Sequence, residues 1–135
     1  MGLALDTSAL VDLERSGSSI ETLAPDGEVE IFVPAIAVAE LWIGTLSSSS
    51  RKVRERRETS LLRLLAGLTV LAFTHEIAPT YAKLFVQQRK AGKPIPANDL
   101  PIAATALYHG HELLVGRSDE AHFRSVRGLK VRVLV

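Results

Sequence analysis

A chain of 135 residues is of single-domain size, large enough to bury about two-thirds of the surface its unfolded form exposes. It has no cysteine, which excludes disulfides, a thiolate nucleophile and thiolate zinc sites, so any metal must be held by oxygen or imidazole. The net charge of +1 hides an asymmetry: residues 1–50 carry eight acids against Arg15 alone, and residues 51–135 carry fifteen bases against seven acids, a split that favours a polyanionic partner.

Leu3, Ala4 and Leu5 form an apolar run too short for a helix and suited to a strand buried on both faces. Asp6-Thr7-Ser8 follows, and a helix over residues 8–15 is expected next. Asp6 therefore sits at a strand's carboxyl end, where open α/β sheets bind ligands. A second reading also fits, in which Asp6 or Thr7 only caps the helix. Ser16-Gly17-Ser18-Ser19 is a turn, residues 20–23 can add one helical turn, and Pro25-Asp26-Gly27 breaks the chain. Residues 29–33, rich in β-branched and aromatic side chains, predict a second strand ended by Pro34. In the helix after it, Ile36, Val38, Leu41, Trp42 and Thr45 make an apolar stripe. Glu40 is its only charge, either an ordinary exposed position or a group turned back toward Asp6.

Residues 47–50, all serine, predict a loop. Arg51, Lys52, Arg54, Arg56 and Arg57 then crowd the start of an amphipathic helix whose later part carries Leu61, Leu62, Leu64, Leu65 and Leu68. Such a cationic end is either a solvated face, partly compensated by Glu55 and Glu58, or a set of phosphate contacts. The apolar stretch over residues 61–73 contains Arg63 and Gly67 and falls short of the ~20 residues a bilayer span needs. No basic segment precedes an apolar one at the N-terminus, so no signal peptide is read. A soluble, cytoplasmic protein with no membrane partner is expected.

Residues 69–73 predict a third strand. Thr74 can cap a helix running to Lys90, whose true start lies near Ala78 because Pro79 is tolerated only in a first turn. Gly92 ends it, and residues 93–96 are extended because each residue before a proline avoids helical angles. Asn98 can cap the next helix, which opens on Asp99 and closes at Gly110. The helix dipole alone explains an acid at Asp99. Residues 112–115 predict a fourth strand, Arg117-Ser118-Asp119-Glu120 follows its end, and residues 130–135 predict a fifth, edge-like strand. Of the histidines, His109 and His111 flank a helix end, and His122 is expected to pack beside Phe123 rather than bind metal.

Strands alternating with helices imply parallel pairing, hence a three-layer α/β/α sandwich around a mainly parallel five-stranded sheet within one domain. Asp6, Glu40 and Asp119 then fall on one rim, and Asp99 joins them if its helix angles over it. Together they concentrate negative charge that repels unless a divalent cation neutralises it, and open carboxylate oxygens suit Mg²⁺ or Mn²⁺. A phosphatase of the haloacid type would need a second Asp where Ser8 stands, and a dinucleotide-binding module would need a glycine-rich first turn.

Four segments carry a resemblance. Leu5-Asp6-Thr7-Ser8-Ala9-Leu10, Val38-Ala39-Glu40-Leu41, Asn98-Asp99-Leu100-Pro101 with Ile102-Ala103-Ala104-Thr105-Ala106, and Asp119 to Phe123 followed by Gly128-Leu129-Lys130-Val131 resemble, in order, the motifs of PIN-domain ribonucleases. The likeness is to the VapC toxins of bacterial type II toxin–antitoxin pairs in particular. One departure is Arg117, where the family usually carries Thr or Ser. The resemblance implies an Mg²⁺- or Mn²⁺-dependent endoribonuclease with Asp6, Glu40 and Asp99 as principal acids and Asp119 as the fourth, all candidate metal ligands. Thr7 or Ser8 could hold Asp6 through a hydroxyl, and Ser118 could support Asp119. Arg51, Lys52, Arg54 and Arg57 are candidates for RNA contact. A cognate VapB-like antitoxin is implied, with a groove expected at Leu10, Leu13, Trp42 and Leu46 and the C-terminal helices left for a homodimer. A non-catalytic PIN-like RNA- or partner-binding protein is the alternative.

Overall fold

Leu3, Ala4 and Leu5 are exposed by 1%, 0% and 0%, and because successive strand side chains point to opposite faces, this strand is covered on both. It is β1 (Leu3–Leu5) of a computed structural model that describes residues 2–24 and 27–134. Met1, the expected break at Pro25 and Asp26, and the last residue of the expected fifth strand, Val135, lie outside the described residues. Helix α1 (Thr7–Ser16) follows directly, and a 3-10 turn (Ile20–Leu23) stands where one helical turn is expected. Next come β2 (Ile31–Pro34), α2 (Ala35–Leu46), α3 (Arg51–Ala66) and β3 (Thr69–Leu71). A 3-10 turn (His75–Ile77) leads into α4 (Ala78–Lys90), then α5 (Asp99–His109) and β4 (Glu112–Val115). Beyond it lie a 3-10 turn (Arg117–Asp119), α6 (Glu120–Arg124) and β5 (Val131–Val133).

The five strands form one sheet in the order β3-β2-β1-β4-β5, and every pairing is parallel. The chain lays β2 and β3 on one side of β1 and then crosses to lay β4 and β5 on the other. That reversal puts a switch point between β1 and β4, the crevice in which open α/β sheets bind ligands. Register fixes the ends: Leu5 pairs with Leu114, so the residues after both strands emerge side by side.

Several boundaries move from the sequence expectation. Strand β2 begins at Ile31, two residues late, because Ile31 is the partner of Leu3, the first residue of β1. It ends on Pro34, which then serves as the extended N-cap of α2. Phe73 projects past the end of β3 and is 38% exposed. Neither Thr74 nor Asn98 caps a helix through its side chain, and Asn98 itself has helical angles. Helix α4 does start at Ala78, with proline in its first turn. Gly110, at φ 71°, closes α5 in the left-handed region that favours glycine. Ile102, Ala103, Ala104 and Ala106 of α5 are wholly buried in a core shared with β1, β4 and Phe123. The small side chains let the backbone of α5 approach its neighbours closely, which holds Asp99 at the sheet's rim.

Candidate metal centre

The two carboxylate oxygens of Asp6 differ. Its backbone continues the β1 ladder by donating to Leu114 O at 2.9 Å. The side chain caps α1: Oδ2 accepts from the Ser8 amide at 3.2 Å and from Ser8 Oγ at 2.6 Å. Ser8 Oγ in turn accepts the Gly116 amide at 2.8 Å, so one hydroxyl ties the end of β1 to the end of β4. A Cβ at position 116 would stand 2.5 Å from Asp12 Oδ2 and 3.1 Å from Ser8, which reserves the place for glycine. Asp6 Oδ1 is different, buried with no hydrogen-bond partner.

Burial pushes the Asp6 carboxyl up to about 6; the Ser8 bonds oppose this, and the negative charges of Asp99 and Asp119 add to it. Leaving a carboxylate oxygen buried and unpaired is costly. A cation at Oδ1 removes both the orphan and the repulsion, so this donor set fits a divalent metal.

Glu40 lies on α2 and turns back toward β1, where its Oε1 accepts from Thr7 Oγ1 at 2.7 Å. The neighbouring hydroxyls thus divide the work, Ser8 holding Asp6 and Thr7 holding Glu40. Asp99, 7% exposed, opens α5. Burial raises its pKa, a hydrogen bond from His122 opposes the rise, and Asp119 and Glu40 add repulsion. Asp119 ends the turn after β4 and accepts from Ser118 Oγ at 3.2 Å. Arg117 points to solvent.

His122 corrects the sequence reading. Its neighbour Phe123 enters the core at 0% exposure, but His122 Nδ1 lies 2.9 Å from Asp99 Oδ2. Ligand atoms of Asp99, Asp119 and His122 all fall within 4.8 Å of one another. Residues three apart share a helix face, so the Asp119-to-His122 spacing was the available signal. His111, by contrast, stacks on Phe32 at 4.5 Å and accepts the Gly2 amide at 3.2 Å.

The bases of α3 do not act as one patch. Arg51 pairs with Glu55 at 3.1 Å, Arg54 donates to Ser48 O at 2.7 Å, and Lys52 extends into solvent. Arg57 lines a cleft of ≈ 430 Å³ together with Thr7, Glu40, Arg15 and Thr45. The expected apolar groove needs correction as well. Leu10 and Leu13 are 0% and 2% exposed: Leu10 belongs to the core around β1, and Leu13 lies at the base of a cleft lined also by Ile20, Ile31 and Leu64. Trp42 is half-buried, while Leu46 and its neighbour Ile43 are 61% and 60% exposed.

Residues 3–129 match the PIN domain family. Ribonuclease VapC1 of Rickettsia felis is 30% identical over 131 residues, covering 97% of this chain and 95% of the relative. Among solved structures, VapBC2 from Rickettsia felis, bound to a DNA fragment from their promoter, superposes with a TM-score of 0.87 at 24% identity over the whole of both chains. VapBC-5 of Mycobacterium tuberculosis, a member of the VapBC family of toxin–antitoxin systems, superposes with a TM-score of 0.74 at 24% identity over 99% and 98% of the two chains.

Proposed function

This chain belongs to the PIN-domain family, and from that premise we propose that it is a metal-dependent endoribonuclease, the toxin of a type II toxin–antitoxin pair. The observation that carries the metal dependence is Asp6 Oδ1, buried, unpartnered and facing the charges of Asp99 and Asp119. Asp6, Asp99 and Asp119 would hold Mg²⁺ or Mn²⁺, with Glu40 as a further ligand or as the group that orients the attacking water. When bound, the ion supplies a Lewis acid for charge on the phosphate and a water acidic enough to attack at neutral pH.

The chain's own residues supply the positioning. Ser8 fixes Asp6 Oδ2, which leaves Oδ1 as the free donor. Thr7 occupies Glu40 Oε1, which leaves the second oxygen to accept a proton from water. Arg57, across the cleft from Glu40, is placed to neutralise an RNA phosphate. Attack by water forms the new P–O bond and breaks the bond to the 3′ oxygen, which leaves as a hydroxyl, so the products carry 5′-phosphate and 3′-hydroxyl ends.

The same pocket suits its own silencing. An antitoxin arginine can bond these carboxylates bidentately and keep the metal out, while Trp42, Ile43 and Leu46 of α2 offer apolar surface to the rest of a VapB-like partner. Phe73, Phe85 and Val86, exposed by 38%, 46% and 39%, offer a second copy of the chain an apolar face. We take residues 1–135 as a single nuclease domain acting in the cytoplasm. Among the described residues no helix is long and apolar enough to cross a membrane.

Cleavage of an RNA mixture by the purified chain in Mg²⁺ or Mn²⁺, with and without EDTA, tests the reading. Loss of cutting in EDTA and 5′-phosphate ends are expected. EDTA-resistant cutting or 2′,3′-cyclic phosphate ends would overturn it, and no cutting under any condition would point to a non-catalytic RNA- or partner-binding protein.

A further inference from the structure

The ring of His122 stands beside the carboxylates of Asp99 and Asp119. Its Nδ1 lies 2.9 Å from Asp99 Oδ2, and its side chain is 38% exposed against 9% for Asp99. The short helix that carries it is pinned at two points. Phe123 is wholly buried, and the His122 carbonyl accepts from Ser125 Oγ at 3.0 Å, which itself accepts from Gln88 Nε2 at 3.1 Å. Gln88 is 6% exposed on α4. The imidazole is therefore held against Asp99 and Asp119 by its own backbone and neighbours. Asp6 Oδ1, buried and without a partner, feels the charges of the same two acids.

We propose that His122 contributes Nδ1 to the ion held by Asp99 and Asp119, and that this nitrogen donor makes the centre select Mn²⁺ over Mg²⁺. The proposal rests on the metal-dependent reading above and adds a ligand and a preference to it. Two adjacent donors, each about 2.1 Å from an octahedral ion, lie about 3 Å apart. The 2.9 Å between His122 Nδ1 and Asp99 Oδ2 is already that separation. Ligation through Nδ1 would require the ring proton to sit on Nε2, the tautomer that leaves Nδ1 a lone-pair donor. Mg²⁺ is a hard cation that keeps oxygen ligands and its own waters, whereas Mn²⁺, which also suits carboxylates, stands at the low end of the first-row series whose members accept nitrogen donors. A site of carboxylates alone would not separate the two metals in this way.

Calorimetric titration of MnCl₂ and of MgCl₂ into the full chain tests this, with Asp99→Asn, His122→Ala and His122→Asn beside the wild type. His122→Asn matters because its amide can still donate to Asp99 while being a poor ligand. Both His122 variants are expected to lose about tenfold or more in Mn²⁺ affinity and less than about threefold in Mg²⁺ affinity. Pulsed electron paramagnetic resonance of the Mn²⁺-loaded chain, labelled with ¹⁵N-histidine, should show nitrogen coupling that both variants abolish. Equal losses for the two metals, or rescue by His122→Asn, or no nitrogen coupling, would overturn the role of His122 and make it only a support for Asp99. If Asp99→Asn binds both metals as the wild type does, the metal centre itself is wrong, and this inference falls with it.

Discussion

Two sides of the same crevice are built in opposite ways. On the β1 side, Asp6 is wholly buried, one oxygen fixed by two bonds from Ser8 and the hydroxyl of Ser8 fixed in turn by Gly116. On the β4 side, Asp119 is half-exposed on a single 3-10 turn and accepts one side-chain bond, at 3.2 Å, from Ser118. The difference teaches where a charged site keeps its rigidity. The buried corner bears the desolvation cost and cannot move, while the open rim stays adjustable and lets a ligand or an inhibitor in.

The widest gap between the two sides should appear in cleavage rates. Asp6→Asn and Asp99→Asn are each expected to lower the single-turnover rate by more than about a hundredfold, and Asp119→Asn by about tenfold, because the rim can readjust around a weaker donor. Equal losses at all three would erase the distinction.

Stability in EDTA sharpens it next. The Asp6 carboxyl is raised from 3.8 to about 6, so the folded state holds its proton more tightly than the unfolded chain does. Its contribution is therefore full below pH ~4 and is lost as pH rises through about 6. Asp6→Asn should flatten that fall and stabilise the metal-free protein at pH 7.5 by on the order of 3 kcal/mol. A wild-type melting temperature that climbs between pH 4 and 6.5 would contradict the strain assigned to the corner.

Ser8→Ala removes a partner from both Asp6 and the Gly116 amide, and a drop of about 1–3 kcal/mol in denaturant unfolding is expected. Ser118→Ala, at the exposed rim, should stay within about 0.5 kcal/mol of wild type. The smallest effect concerns RNA: Arg57→Glu should reduce the log–log salt slope of binding by about one, and Arg51→Glu, already paired with Glu55, should leave it unchanged. The reverse pattern would move RNA binding away from the cleft.

The buried corner was legible in the sequence and much of the rim was not. Leu3 to Leu5 and residues 112–115 declare themselves as strands because a doubly covered strand is a short apolar run, and an acid or turn residue directly after each marks the crevice. Asp6, Glu40 and Asp119 could be assigned a common rim for that reason, and Asp99 only on the condition that its helix angles over it. Helix α6 has five residues, too few for an apolar period to show, so apart from its spacing from Asp119 His122 reads as an isolated ring beside Phe123. Only the fold brings it to Asp99, 23 positions earlier. Leu10 and Leu13 fail as groove residues for a related cause. Helical spacing gives the apolar face of α1 but not what covers it, and the rest of the fold buries both residues. The division of α3 into paired, tethered and free bases is likewise decided by rotamers, of which composition carries no trace.

The strand order has a consequence for the cell that makes this protein. Ser8 and Gly116 are 108 positions apart and meet only because β4 slots in beside β1. A chain leaving the ribosome presents Asp6 and Glu40 early and must wait for Asp99 and Asp119. At ~5–20 residues per second, the stretch from residue 40 to residue 119 takes roughly 4–16 seconds to synthesise. Through that interval the emerging polypeptide has at most three of the four acids, no crevice and an uncovered edge on β1, so the site is not assembled. The crevice is completed in one step, when β4 takes its place beside β1 and brings the last acid with it.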